Sequence, residues 1–256
     1  MSKRWIQEHH RDAHFRKAKS EGYRARSAYK LLEINTRYQV IRPHDDVIDL
    51  GCAPGSWLQV LRKLTDGKVI GVDLRRIDPI EGVTFIRGDM TSEDVLENLI
   101  LESNGKVNTI VSDMSPNITG HYSMDQANSI YLGEMAMKTT ESLLNLGGNF
   151  VVKVFEGDLF PEFLQSVRKR FSRVKVHSPK ASRKTSSEIY VIARNYYPPG
   201  SKRSGSGNRN RSGNGDGNGN RNRSGNRNEK PQDRDTEPGG GRNGERGVGT
   251  SGPEGE

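Results

Sequence analysis

After Pro43 the chain alternates short, continuous apolar runs with segments of helical pattern, and no other feature restricts its fold as tightly. The runs are Asp46–Leu50, Val69–Val72, Val83–Ile86, Val107–Val111, Asn149–Val154, Val174–His177 and Ile189–Arg194. Most are β-branched and uninterrupted, as strands covered on both faces are. Helical patterns at Ser56–Leu64, Ser92–Leu101, Met124–Leu146 and Pro161–Phe171 separate them, the third closed by the stop signal Gly147-Gly148. One more helix is expected from an N-cap at Ser27 to Tyr38, and a marginal one within Trp5–Lys19. This alternation predicts an α/β fold, an open, doubly wound, mostly parallel seven-stranded sheet. Only Ser178–Glu188 separates the last two runs, too little for a parallel crossover, so an antiparallel pair is expected there.

In such a sheet the ligand sits beyond the carboxyl ends of the strands. The first run ends in Asp49-Leu50-Gly51-Cys52-Ala53-Pro54-Gly55-Ser56-Trp57. Gly51 and Gly55 allow close backbone approach and a tight turn into the next helix. Asp73, ending the second strand, is placed to accept hydrogen bonds from a ribose diol, or simply to cap a turn. Asp89, after the third strand, can reach an adenine amino group. A dinucleotide site would need Gly-x-Gly-x-x-Gly, which this loop lacks, and Pro54 removes a donor that a pyrophosphate would use. That argues against a dehydrogenase.

The fourth strand ends Ser112-Asp113-Met114-Ser115-Pro116-Asn117 and the fifth contains Val151-Val152-Lys153-Val154-Phe155. Lys153 interrupts a run that otherwise reads as buried, and a buried ammonium is costly unless paired. Lys30, within Arg26-Ser27-Ala28-Tyr29-Lys30-Leu31, and Glu188, opening the last strand, each read alone as solvated surface charges.

The loop pattern Asp-x-Gly-x-x-x-Gly resembles the S-adenosyl-L-methionine loop of class I, Rossmann-like methyltransferases. Together with Arg26–Leu31, Ser112–Asn117, Val152-Lys153-Val154-Phe155 and Ser186-Ser187-Glu188-Ile189-Tyr190, it resembles the RrmJ/FtsJ family of RNA ribose 2′-O-methyltransferases over roughly Tyr23 to Tyr196. The resemblance implies a catalytic tetrad at Lys30, Asp113, Lys153 and Glu188, and cofactor contacts at Gly55, Trp57, Asp73, Asp89 and Asp113. Ala53 stands where class I enzymes often have Gly. The implied activity is in-line methyl transfer to the ribose 2′-hydroxyl of a uridine in large-subunit (23S) ribosomal RNA, with Lys153 as proton acceptor. Rival readings are a tRNA methyltransferase and a non-catalytic ribosome-assembly factor. Burial and Lys30 favour a neutral Lys153 while Asp113 and Glu188 favour a charged one, and the sequence leaves that balance open.

Composition divides the chain. Hydrophobic content is 31%, against a usual ~45–50% counting Gly, and the deficit lies at the end. Residues 201–256 hold 15 Gly and a single aliphatic side chain, Val248, too little apolar surface to offset ordering entropy. The expected organisation is a basic arm at 1–22, a catalytic domain at 23–197 and a Gly/Asn/Arg-rich tail at 198–256. Net charge is +6 over residues 1–30, −1 over 31–200 and +3 over the tail. Such segregation points to a polyanion, here ribosomal RNA or the large ribosomal subunit, gripped by the arm with Trp5, Phe15 and Tyr23 and by the cluster Arg168–Lys184. A merely soluble basic surface is the plain alternative. No run approaches the ~18–20 apolar residues of a membrane span, and Met1–Ser20 lacks the apolar core of a signal peptide, so a cytoplasmic protein is expected. The single Cys permits no internal disulfide. His10 and His14 have i, i+4 spacing but no evident third ligand, and no metal is expected.

Overall fold

A computed structural model describes residues 13–182, 186–198 and 200. In it a seven-stranded sheet runs β1 (Val47–Leu50), β2 (Val69–Asp73), β3 (Thr84–Arg87), β4 (Val107–Ser112), β5 (Leu144–Phe155), β6 (Phe171–His177) and β7 (Glu188–Tyr196) in chain order. The helices of the described residues are α1 (Ala13–Ser20), α2 (Ala28–Tyr38), α3 (Ser56–Leu64), α4 (Glu93–Glu102), α5 (Tyr122–Leu143) and α6 (Phe160–Arg168). Spatial order is β3-β2-β1-β4-β5-β7-β6. Neighbours from β3 to β5 pair in parallel, and β7 runs antiparallel to both β5 and β6. The reversed strand is the one whose short connection forbids a crossover.

Strand order switches direction at β1, which lies between β2 and β4, so a crevice opens beyond the tips of β1 and β4. Alternation along the strands splits the core in two. Ile48, Leu50, Ile70, Val72, Ile110, Phe150 and Val152 pack with α4, α5 and α6 on one face. Val47, Val69, Val111, Val151, Tyr190 and Ile192 pack with α2 and α3 on the other. In α3 the first turn buries Trp57 and Leu58 and the second Val60 and Leu61, which fixes the helix against β1 and β2.

Several boundaries depart from the sequence expectation. Helix α5 ends at Leu143, and Gly147-Gly148 lie inside β5 instead of closing the helix. They belong to an irregular stretch in which Val107 pairs with Leu144 but Thr109 with Asn149, and Gly147 has φ +77°. Helix α6 stops at Arg168, and Phe171 opens β6. This edge strand carries no apolar alternation, yet Phe171 is buried against Phe150 and Tyr196, at ring-centroid distances of 6.0 and 5.3 Å. Strand β3 is the opposite edge: its ends Thr84 and Arg87 are exposed, while Phe85 and Ile86, half-buried, pack against the cores on opposite faces. Ser27 makes no capping bond; its Oγ lies 2.7 Å from Ser56 Oγ. The basic cluster extends along an edge of the sheet: Arg168, Lys169 and Arg170 precede β6, Arg173 and Lys175 are exposed on it, and Lys180 follows it. Arg183, Lys184, Trp5, His9, His10 and the 201–256 tail lie outside the described residues.

Candidate active site

The chain leaves β1 through Gly51 (φ +72°) and enters α3 through Gly55 (φ +99°). Both conformations favour glycine, and both positions are also crowded. A Cβ at Gly51 would run into the Met114 side chain, and one at Gly55 would lie 2.7 Å from an Arg24 guanidinium nitrogen. Asp73 joins this loop to the next. Its Oδ2 accepts from Ala53 N at 2.8 Å and its Oδ1 from Arg75 N at 2.8 Å. Arg24 ties the same two loops from outside, donating to Pro54 O at 3.0 Å and Pro79 O at 3.1 Å. The first amides of α3 have no partner within the helix, which leaves donors at the loop's end.

Beyond the tips of β4, β5 and β7 four charged side chains converge. Lys153, 4% exposed, donates from Nζ to Asp113 O at 2.7 Å and to Ser115 Oγ at 2.5 Å. The same Nζ lies 3.1 Å from Asp113 Oδ1 and 3.7 Å from Glu188 Oε1. Lys30, 5% exposed on α2, donates to Glu188 Oε2 at 2.8 Å. Two ammonium groups thus face two carboxylates, and Glu188 bridges the cations. Burial pushes the Glu188 carboxyl up, but Lys30 and Lys153 outweigh it and hold it below its ordinary range.

Tyr190 and Trp57 form the floor of this cluster. Tyr190 donates from its hydroxyl to Asp113 Oδ1 at 2.6 Å and lies under Lys30, whose Nζ is 5.6 Å from the ring centroid. Burial, reinforced by Asp113 and Glu188, raises its phenol well above the usual value, so it stays a donor. Trp57 stacks on Tyr190 at 6.0 Å and donates its indole N–H to Ser27 O at 2.8 Å. Beside them Asp49 is 1% exposed, and neither of its carboxylate oxygens has a hydrogen-bond partner. Burial first, then Asp113 and Asp73, pushes its carboxyl well above the ordinary range.

The structure therefore brings together Lys30, Asp113, Lys153 and Glu188, the first and last of which read as surface charges when taken alone. Gly55 and Asp73 lie in the adjoining loops. Trp57 is buried by its side chain, so what it offers a ligand is its place in the first turn of α3. Asp89 stands at the tip of β3, two strands from β1, where Oδ1 accepts from Thr91 N at 2.9 Å and Thr91 Oγ1 at 2.8 Å. Those bonds hold its carboxyl low. Sequence reasoning gave no role to Asp49, Ser115 or Tyr190. Asp49 carried the signal that marked Lys153, a charge inside an apolar strand; Ser115 and Tyr190 carried none.

A doubly wound sheet with this order, a glycine-turned loop pinned by a strand-end acid, and a buried Lys-Asp-Lys-Glu cluster at the switch point define a Rossmann-like methyltransferase. Residues 23–196 match the family model for FtsJ-like methyltransferases, and the chain belongs to that family. It is 53% identical over 196 residues to a protein of Methanoculleus marisnigri named ribosomal RNA large subunit methyltransferase E, covering 77% of this chain and 95% of the relative. A protein of the same name from Methanothrix thermoacetophila is 50% identical over 184 residues, 72% of each chain. Among solved structures, a protein described as a ribosomal RNA methyltransferase from Plasmodium falciparum superposes with a TM-score of 0.62 at 30% identity, covering 68% of this chain and 98% of that one.

Proposed function

We propose that this methyltransferase transfers the methyl group of S-adenosyl-L-methionine to the ribose 2′-hydroxyl of a uridine in large-subunit ribosomal RNA. The observation that carries this reading is Lys153, an amine with almost no solvent access, held between Asp113 and Glu188 beside the glycine loop. The names of the relatives support the substrate.

The residues present suit the cofactor. Asp49, Asp73 and Asp113 crowd one corner closely enough that Asp113 and Asp73 both raise the Asp49 carboxyl. Mutual repulsion of that kind is relieved by a ligand carrying positive charge, and Asp49 has two oxygens without partners to offer it. Gly55, Trp57, Asp73 and Asp89 would hold the remainder through loop amides and carboxylates. When bound, the cofactor supplies a methyl group on a sulfonium, a leaving group that needs no acid catalyst.

The protein's own task is to orient one hydroxyl and take its proton. Ser115 is exposed, and its hydroxyl occupies one hydrogen-bonding direction of Lys153 Nζ. A ribose 2′-hydroxyl taking that position would sit against Lys153, which, after its ammonium has released one proton to solvent, accepts the hydroxyl proton on the freed lone pair as the new carbon–oxygen bond forms. Asp113 holds Lys153 through both its carbonyl and its carboxylate, and Tyr190 fixes that carboxylate in turn. Lys30 anchors Glu188 and offsets its charge. Such prior orientation is worth several kcal/mol of a displacement barrier.

The test is methyl transfer from labelled S-adenosylmethionine to isolated large ribosomal subunits and, separately, to tRNA, with mapping of the product. Label at a single uridine 2′-oxygen of the subunit is expected. Label in tRNA alone would overturn the substrate, and no label in either, with cofactor bound, would overturn the reaction.

A further inference from the structure

Around the mouth of the site the structure exposes apolar side chains that the tetrad does not use. Ile118, in the segment after β4, is 64% exposed and Tyr122, the first residue of α5, 62%; Leu159, after β5, is 43% exposed. The segments that bear them also bear the reacting groups. Ile118 follows Asp113 and Ser115 closely, and Glu156 comes three residues after Lys153. Tyr122 joins the two segments, its hydroxyl donating to Glu156 O at 2.9 Å. At ~3.3 Å per strand residue, that carbonyl lies about 10 Å along the chain from Lys153. The ring thus stands within reach of a nucleotide next to the reacting ribose.

Its mounting is rigid. Asp125 Oδ1 accepts from Thr119 N and Thr119 Oγ1, both at 2.8 Å, and Oδ2 accepts from Gly120 N at 3.1 Å. His121 N donates to Thr119 Oγ1 at 3.1 Å, which closes the turn just before Tyr122. An aromatic ring fixed in advance loses little freedom when a partner stacks on it. The local charge says which part of an RNA fits. There is no Lys or Arg in residues 107–137 or 154–167, while Glu156 and Asp158 are exposed. This surface repels phosphate and accepts an uncharged, flat, apolar face.

We propose that Tyr122, with Ile118 and Leu159 on the two segments it joins, is a stacking platform for a nucleobase flanking the target ribose in single-stranded RNA. The proposal rests on the RNA reading of the site. Only an unstacked base presents its π-face, so the platform selects loops or opened strands over continuous duplex.

The test uses the full chain and three variants, Tyr122→Ala, Tyr122→Phe and Ile118→Ser. One readout is binding of a short single-stranded RNA labelled with 2-aminopurine; the other is KM and kcat for methyl transfer to isolated large ribosomal subunits. Tyr122→Ala is expected to weaken oligonucleotide binding and raise KM about 5- to 100-fold, as loss of one base–aromatic stack does, with kcat changed less than about twofold. Tyr122→Phe, which keeps the ring and loses the bond to Glu156, should bind like the parent. Ile118→Ser, outside the Asp125 clamp, should give a smaller rise in KM and stands in if Tyr122→Ala does not fold. Unchanged binding in Tyr122→Ala, or Tyr122→Phe as weak as Tyr122→Ala, would overturn the platform. So would loss of affinity for subunits but not for the oligonucleotide, which would make the ring a protein contact. Absence of methyl transfer by the parent, with the oligonucleotide still distinguishing Tyr122→Ala, would overturn the reaction and leave the platform standing.

Discussion

Lys153 and Asp49 are two charges placed inside apolar strands, and the fold treats them oppositely. Lys153 is supplied with a carbonyl, a hydroxyl and two carboxylates, whereas Asp49 is given no partner at all. A residue that accepts the substrate proton contributes about 10²–10⁴-fold to rate. Lys153→Ala should therefore lose at least about 10²-fold in kcat while equilibrium dialysis shows unchanged cofactor affinity. Retained turnover would move the proton elsewhere. For Asp49 the expected effect is on stability. Its carboxyl is raised in the folded protein, so the protonated form contributes stability that is full below the unfolded value of ~3.9 and is lost as pH rises through the folded value. Asn keeps the shape and cannot ionise. Without cofactor, the melting temperature of Asp49→Asn should gain on the parent's steadily as pH rises from about 4, and a flat difference would mean that Asp49 ionises in the fold as it does in a free chain. Glu188, held low by the two lysines, has the opposite sign: its stabilisation is present at neutral pH and disappears on acidification.

At the scale of elements, the glycine loop is where backbone conformation and packing act together. Gly51 combines φ +72° with contact to Met114, while Gly105 has φ +111° and open space around the Cβ position. Holding a non-glycine residue at such φ costs about 1–3 kcal/mol. Gly105→Ala should show that cost alone in urea unfolding; Gly51→Ala should exceed it, because Met114 must move, and should also weaken cofactor binding. Equal losses would mean that Met114 yields freely. Helices were legible in the sequence from the period of their buried face, as in α3, and interior strands from continuous apolar runs, because a strand such as β4 is covered on both faces. The ends were not legible where glycine served a second purpose. Gly147-Gly148 looks like a helix stop, but the helix has already ended at Leu143 and the pair bends the entry of β5 against β4. The start of strand β6 was not legible either, because an edge strand half in solvent carries charge where an interior strand carries valine.

For the whole molecule, the tetrad could be read from the chain only as five separated motifs sharing a family resemblance. Lys30 and Glu188 are 158 residues apart, and nothing local marks either as buried. Topology alone, with β7 reversed between β5 and β6, carries Glu188 and Tyr190 to the tip of β5. Charge is distributed at the same scale, and it governs how the protein would meet RNA. Residues 31–200 are nearly neutral at −1, while residues 1–30 carry +6. The apolar mouth at Tyr122 holds a base and no phosphate, so the phosphate contacts must be made elsewhere, and the flanking segments have the cations. Each phosphate contact on single-stranded RNA contributes about −0.7 to the slope of log K against log salt. Removing residues 1–12 deletes Lys3, Arg4 and Arg11 and leaves α1 intact, with its buried Ala18. If all three touch phosphate, the slope should flatten by about 2, with cofactor affinity and melting temperature unchanged. Removing residues 201–256 tests the tail in the same way, since weak association through a basic chain shows in the slope before it shows in affinity at high salt. A slope untouched by either truncation would place the phosphate contacts on the domain itself, with Lys180 beside the tip of β6 the first residue to examine.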